Sequence, residues 1–447
     1  MVFLILYVVV LLGFGIFEFK KIKNFDDFII SGRTQGTGAI AYSILATCIG
    51  ASATLGVVST ARRIGFPAFW WLGAGAVGLL LQSIFLSRKV RSVGAYTLPD
   101  LTEKLMGRDA RFLTSIIVVI AWTGIIAAQF VAGAKLLSAF GDIDPRVSIM
   151  VTALVIVAYS AMGGQSSVMK TDRVQFALLG GALLFTLGYL YSSHPVPLAD
   201  IRFDLTNAGF TPENLVYYLF VVGGSYFVCP LLFSRILTAR DARTARKASF
   251  LSALGLVAVS VVITLIGIWA SFNIDPSYDK DILGYIITEK LPAAGGIALL
   301  IGLVSAIISS ADTCLFAVAS IVEYDILKQE RVRTTRLVIG IIGLFSALLA
   351  MKNPDIISLL IQAYAVFTAG VVPPVAVALI MWKKRTIHLY WRRSAIIVGG
   401  ILGLGANLMG MDMLAVAGMA VSTALSIAGL YVPQQSVTAC QNESSIS

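Results

Sequence analysis

Long apolar runs divided by short polar connections set the organisation of this chain. A window of about 20 residues, the length that spans a bilayer as a helix, places runs at 2–18, 37–61, 66–87, 112–140, 147–163, 173–192, 214–234, 248–272, 293–323, 335–351, 355–382, 394–409 and 411–431. The pattern predicts about thirteen transmembrane helices. Within the ninth run, Gly302 to Thr313 reads GLVSAIISSADT, a polar seam in an apolar segment. On a helix Ala306, Ser309, Ser310 and Thr313 share one face, and Ser305, Ser309 and Asp312 form an adjoining stripe. The flanks GIALLIGLV and CLFAVASIV put Asp312 well inside the bilayer, where a carboxylate costs about 2.5 to 3.5 kcal/mol unless it faces protein, water or an ion. The cluster predicts an ion-binding surface. The competing account is hydroxyls bonded back to carbonyls of their own helix.

Two other runs resist uniform helix. The second, YSILATCIGASATLGVVSTA, encloses small polar residues between Gly50 and Gly56, and Thr47, Ser52 and Thr54 add hydroxyls. Unwound backbone at membrane depth is tolerated where it lines a cavity, and broken helices build the sites of secondary transporters; close packing of small residues is the other reading. Five runs later, VVGGSYFVCPLLFSR carries Gly223, Gly224, Tyr226 and Pro230. Two interrupted helices at this spacing are what an inverted five-helix repeat produces. Tyr226, in mid-span, either covers a ligand or packs in the core. Asp172, at the start of the sixth run between Lys170 and Arg173, is either a locally paired helix-start acid or a waypoint for an ion.

Composition narrows the class. Of 447 residues 57% are apolar and 13% charged, and the mean hydropathy is +0.87, far outside the soluble range. The net charge of +10 is not gathered into an arm or domain, so it does not indicate nucleic acid. Most of the Lys and Arg residues instead fall on alternate connections, as cytoplasmic loops require. Lys20, Lys21 and Lys23 end the first run, which places the N-terminus outside and marks that run as a retained span rather than a cleaved signal. The opposite connections are acidic and contain proline. Cys48, Cys229, Cys314 and Cys440 form no CxxC or Cys/His group, and a reduced structural role is expected. With no GxxxxGK[ST] loop, no HExxH and only His194 and His388, ATP-driven pumping and histidine-ligated metal chemistry lack their residues. An ion gradient is the remaining source of energy.

Several stretches together resemble the sodium:solute symporter family: FIISGRTQGTGAIAYSILAT, YSAMGGQSSVMKTDRVQ, CPLLFSRILTARDARTARKA, SSADTCLFAVASIVEYDI and AYAVFTAGVVPPVAVAL, in order over about residues 26 to 382. The resemblance implies an all-α polytopic membrane protein with an inverted five-plus-five helix core. Its parts would be a helix and basic loop at 1–36, repeats at 37–192 and 193–382, and two peripheral helices with a short tail at 383–447. It implies a non-enzymatic, sodium-coupled importer of a small polar organic solute, monomeric, in the plasma (inner) membrane. Carried over by motif, sodium would bind carbonyls of Ala46, Ile49 and Ala306 and hydroxyls of Ser309 and Ser310. Asp172, Asp312 and Thr313 would mark a second sodium or an exit path, with a protonated Asp312 as the substitute for that ion. Thr47, Ser52, Gln129, Tyr226 and Gln362 are the solute-lining candidates. The second run lacks the acidic residue of the family's proline transporters and the Glu-Gln pair of its sugar transporters; a small carboxylate-bearing or amino-acid-like solute is left. A solute sensor without net transport and a proton-coupled symporter are the alternatives.

Overall fold

The computed structural model describes residues 2–19, 30–50, 52–138, 143–163, 165–278, 281–353 and 355–432. Lys20, Lys21, Lys23, Cys440 and the tail from 433 lie outside them. Among the described residues eight helices are long and apolar enough to cross a bilayer, or up to ten spans if two further pairs, each bent at a short break, count as one apiece. In chain order the helices are α1 (Val2–Phe19), α2 (Thr37–Cys48 and Ser52–Ile64), α3 (Phe66–Phe85), α4 (Arg108–Ser138), α5 (Pro145–Met162), α6 (Gln165–Ser193) and α7 (Pro212–Leu237). They continue as α8 (Ala242–Asn273), α9 (Ala293–Ile326), α10 (Val332–Lys352), α11 (Ile356–Gly370 and Val372–Ile380), α12 (Leu389–Met409) and α13 (Asp412–Ala428). Length and composition leave α1, α12 and α13 outside the ten. They occupy the places of the remaining predicted runs, so the arrangement is compatible with thirteen.

The helix breaks have local causes. In α2 the two halves meet at a bend of 63°, where Ile49 leaves helical geometry at φ −100°, ψ 69°. Gly50 follows, and only a residue without a side chain fits there: an added Cβ would lie 2.6 Å from the Ser310 hydroxyl and 2.9 Å from Oε1 of Gln129. In α7, Val228 and Cys229 are extended, because a proline clashes with helical backbone in the residue before it. Pro230 then opens the following turn, where its missing N–H costs nothing. Val371, ahead of Pro373 and Pro374, marks a third bend of 43° in α11.

At the centre of the bundle α9 packs against α1, α2, α4, α5, α6, α7 and α10. Every residue from Ser305 to Ile321 is buried, which explains why this helix is apolar all round apart from its seam. Close crossings hold other pairs: a Cβ on Gly78 of α3 would overlap the carbonyl oxygen of Gly223 in α7. Leu154, Leu184, Leu337, Ile401 and Leu408 project outward from α5, α6, α10 and α12. This is the belt that hydrocarbon covers, and the molecule is a multi-pass membrane protein.

Candidate functional site

The break in α2 and the serines of α9 meet. Ser310 Oγ donates to the carbonyl of Thr47 at 3.1 Å, and Ala46, Ile49, Ala306, Ser309 and Ser310 are all buried. A helix end leaves its last carbonyls without intrahelical donors, so the break turns backbone oxygen of α2 toward the hydroxyls of α9. An all-oxygen set of this kind suits a small hard cation. The residues present fit sodium.

Asp172 is not the locally paired helix-start acid. It is wholly buried and draws three helices onto α6: Ser43 of α2 donates to it, Ser309 of α9 donates at 2.6 Å, and Arg235 Nη2 of α7 stands 3.5 Å away. Arg235, at the basic end of the seventh run, is itself fully buried. It donates from Nε to Ser43 Oγ at 2.8 Å and from Nη2 to Thr313 Oγ1 at 2.6 Å. Asp312 lies against α5, near Ser160 and Tyr159, and its Oδ1 has no hydrogen-bond partner among the described residues. The place assigned by resemblance to a second ion thus already contains a guanidinium. Sequence reasoning missed Arg235, although a charge five residues beyond Pro230 in the apolar run PLLFSRIL was the available signal.

Beside the serine pair is a chamber of about 50 Å³ lined by Thr47, Ser52, Gln129 and Tyr226, as expected, together with Trp122 and Tyr364. Gln362 does not reach it. That side chain is exposed, with Nε2 donating to Ser358 Oγ at 3.2 Å, and the backbone carbonyl of Gln362 accepts from Asn407 Nδ2 of α12 at 2.9 Å. Two residues along a helix is about 200° of rotation, so the chamber receives Leu360 and Tyr364 and excludes Gln362. Cys48, Cys229 and Cys314, three thiols with no sequence grouping, also converge on this wall. The lining contains no charged side chain, and Thr47 Oγ1 and Trp122 Nε1 are buried without hydrogen-bond partners among the described residues. A buried polar group left unpaired costs about 1 to 3 kcal/mol.

A second cavity of about 830 Å³ opens toward the acidic connections. Arg63, Lys135, Asp281 and Asp355 line it, so Lys135 ends in a polar vestibule rather than in hydrocarbon. Burial pushes the Asp281 carboxyl up from its ordinary value, opposed by the backbone N–H of Gly284 and the charge of Lys135. Leu55, Gly56 and Ile357 line the vestibule, whereas Ser52 and Leu360 line the chamber. Three residues of helix, about 4.5 Å of rise, separate the two spaces. The opposite end is tied shut. Gln35 N–H bonds to Thr238 O at 3.0 Å, Arg33 to Gly94 O at 3.0 Å, and Arg111 to Asp325 at 2.8 Å.

Broken helices flanking a buried, uncharged chamber that is one turn below an open vestibule define a solute carrier, a protein that moves its cargo without transforming it. The chain belongs to the sodium:solute symporter family, whose profile matches residues 28–388. An osmoregulated proline transporter of Bacillus subtilis is 25% identical over 427 residues, covering 88% of this chain and 86% of the relative. A human high affinity choline transporter is 26% identical over 289 residues, 59% of this chain and 49% of the relative. Among solved structures, a Na+-coupled sialic acid symporter in a substrate-bound outward-open state superposes with a TM-score of 0.79 at 19% identity, covering 96% of each chain. MhsT in complex with L-phenylalanine gives 0.62 at 13% identity, over 87% of this chain and 98% of that one. Both likenesses show the fold. Sodium is the co-transported ion of the family, and a small organic solute is the cargo.

Proposed function

We propose that the protein imports a small solute of no net charge, a zwitterion of amino-acid or betaine type, together with sodium bound between Ala46, Ile49, Ala306, Ser309 and Ser310. The observation that carries this reading is the contact of Ser310 with the broken end of α2, beside a chamber without a charged side chain. A net-charged solute would be left unbalanced in such a chamber. A zwitterion can set its carboxylate toward the sodium and the start of the second half of α2, and its cationic end against Trp122, Tyr226 and Tyr364. The proline transporters among the relatives are in keeping with a zwitterionic solute.

The basic connections are assigned to the cytoplasm and the vestibule to the outside, with the N-terminus external and the protein in the plasma membrane. Residues 37–192 and 193–382 are the two repeats, each opening on a broken helix. Sodium and solute enter from the vestibule, and the ion ties α2 to α9. Closure of the turn around Leu55 and Ile357 then precedes separation of the tied cytoplasmic end. One charge moving across 100 mV releases about 2.3 kcal/mol, and a tenfold gradient adds about 1.4 kcal/mol. Together they support accumulation of about 500-fold per ion.

The test is sodium-stimulated uptake into proteoliposomes, with L-proline as the first probe and other zwitterions selected by thermal shift in sodium. Replacing Ser309 and Ser310 together by alanine is expected to abolish the sodium stimulation. Sodium dependence that survives the double replacement would remove the site assignment.

A further inference from the structure

We infer that Lys89, Lys383, Lys384 and Arg385 form a site for the phosphate headgroup of an anionic phospholipid. The proposed orientation of the protein enters only in naming the leaflet, which is the cytoplasmic one. Cations at this end of the bundle fall into two sets by their partners. Arg392 and Arg393 share Asp109 at 2.6 and 3.1 Å, Arg111 holds Asp325 at 2.8 Å, and Lys104 lies 3.2 Å from Asp100. Among the described residues no carboxylate stands within 4.0 Å of the charged groups of Lys89, Lys383, Lys384 or Arg385.

The fold holds these four charges together. Lys89, on the short helix Ser87–Val93 after α3, donates from Nζ to Ile380 O at the end of α11 at 2.9 Å. That bond sets it beside the turn carrying the other three, and burial together with the charge of Lys384 holds the Lys89 ammonium below its ordinary value. The turn is closed by the N–H groups of Lys384 and Arg385, which donate to Met381 O at 2.8 and 3.1 Å. Lys383 takes left-handed backbone at φ +66°, a conformation that favours glycine, and its Nζ lies 4.8 Å from the centre of the Trp382 ring. Arg385 stands 4.7 Å from the ring of Tyr431. Like charges held this close repel one another, and an anion placed among them turns the repulsion into attraction. Exposed Tyr390 and Tyr431 border the turn beside Trp382, and such aromatic rings mark the headgroup level of a bilayer. Cations without acids at that level bind anionic headgroups, and exposed Ile397, Ile401 and Leu404 on one face of α12 receive the acyl chains. Lys89 follows α3 and Lys384 follows α11, so one phosphate links two connections far apart in the chain.

The probe is phosphatidylglycerol with one fluorescent acyl chain, titrated into the purified full-length protein in neutral detergent. Potassium replaces sodium and no solute is present, so the outcome is independent of the proposed ion and solute sites. Binding is expected to saturate, and to be displaced by unlabelled phosphatidylglycerol but not by phosphatidylcholine of the same chains or by glycerol phosphate. The Lys89→Gln, Lys384→Gln double variant is expected to weaken binding about 25-fold, about fivefold for each charge removed. Lys384→Gln alone, at an exposed side chain, gives the about fivefold step should the double variant fail to fold. Lys89→Arg with Lys384→Arg, which keeps both charges, is expected to retain binding. Arg88→Gln, an exposed cation on the same short helix, is the control and is expected to stay within about twofold. Displacement by glycerol phosphate would assign the site to free phosphate, equal displacement by phosphatidylcholine to lipid of any charge, and an equal loss in Arg88→Gln to general surface charge. Each of these overturns the inference, as does unaltered affinity in a folded glutamine variant.

Discussion

Gly50→Ala is the sharpest single perturbation of the proposed ion site, because one methyl group tests the contact between the two halves of that site. Built on the backbone, the alanine Cβ would lie 2.6 Å from Ser310 Oγ, 3.0 Å from Ser310 Cβ and 2.9 Å from Gln129 Oε1. All three atoms are buried on helices that cannot withdraw without disturbing their own packing, so Ser310 gives way first. Its 3.1 Å hydrogen bond to Thr47 O is lost, and its hydroxyl leaves the position from which it faces the broken end of α2. Overpacking of a well-filled interior costs about 1 to 3 kcal/mol. If that cost falls on the sodium-bound form, the sodium concentration for half-maximal uptake rises about 5- to 150-fold. The assay is initial uptake against sodium concentration at constant ionic strength, normalised to protein in the membrane. Gly340→Ala in α10, where an added Cβ meets nothing within 4 Å, is the control and is expected to be neutral or to stabilise by about 0.5 to 1 kcal/mol. A Gly50→Ala protein at normal abundance with unaltered sodium dependence would refute the reasoning.

Two further outcomes concern the solute. Gln362→Ala is expected to leave the half-saturating solute concentration within about twofold, as surface substitutions do, whereas Trp122→Phe, which removes the unpaired indole N–H, is expected to raise it about 2- to 12-fold through one lost hydrogen bond; uptake titrations of the two variants decide. The convergence of Cys48, Cys229 and Cys314 on the chamber predicts that a small mercurial blocks uptake, that saturating solute with sodium protects, and that combined replacement of the three by serine confers resistance. Inhibition that is unchanged in the triple variant would place the reactive thiol elsewhere.

Much of this architecture is legible along the chain because helices and their interruptions are local. An apolar run of membrane length must satisfy its own backbone hydrogen bonds, so the runs became helices. Pro230 had to break α7 through its own ring, and Gly50 marked the break in α2. The serine seam was equally legible, since Ser309 and Ser310 take their common neighbourhood from helical periodicity alone.

What periodicity leaves open is which way each helix is turned and what stands opposite. Gln362 and Tyr364 are both plausible pocket residues in sequence, and only the packing of α11 against its neighbours turned one into the chamber and the other toward α12. Asp172 sits between two local cations in the chain, yet its partners are Ser43, Arg235 and Ser309, contributed by α2, α7 and α9. The three cysteines are separated by long stretches of chain and meet only because the two broken helices flank α9. Sequence by itself determined the spans, the breaks and the polar face of α9, all of which follow from backbone hydrogen bonding and helical repeat. The tertiary structure alone decided that a buried arginine stands where a second sodium was expected, because the partner of a buried charge is chosen by contacts between helices far apart in the chain.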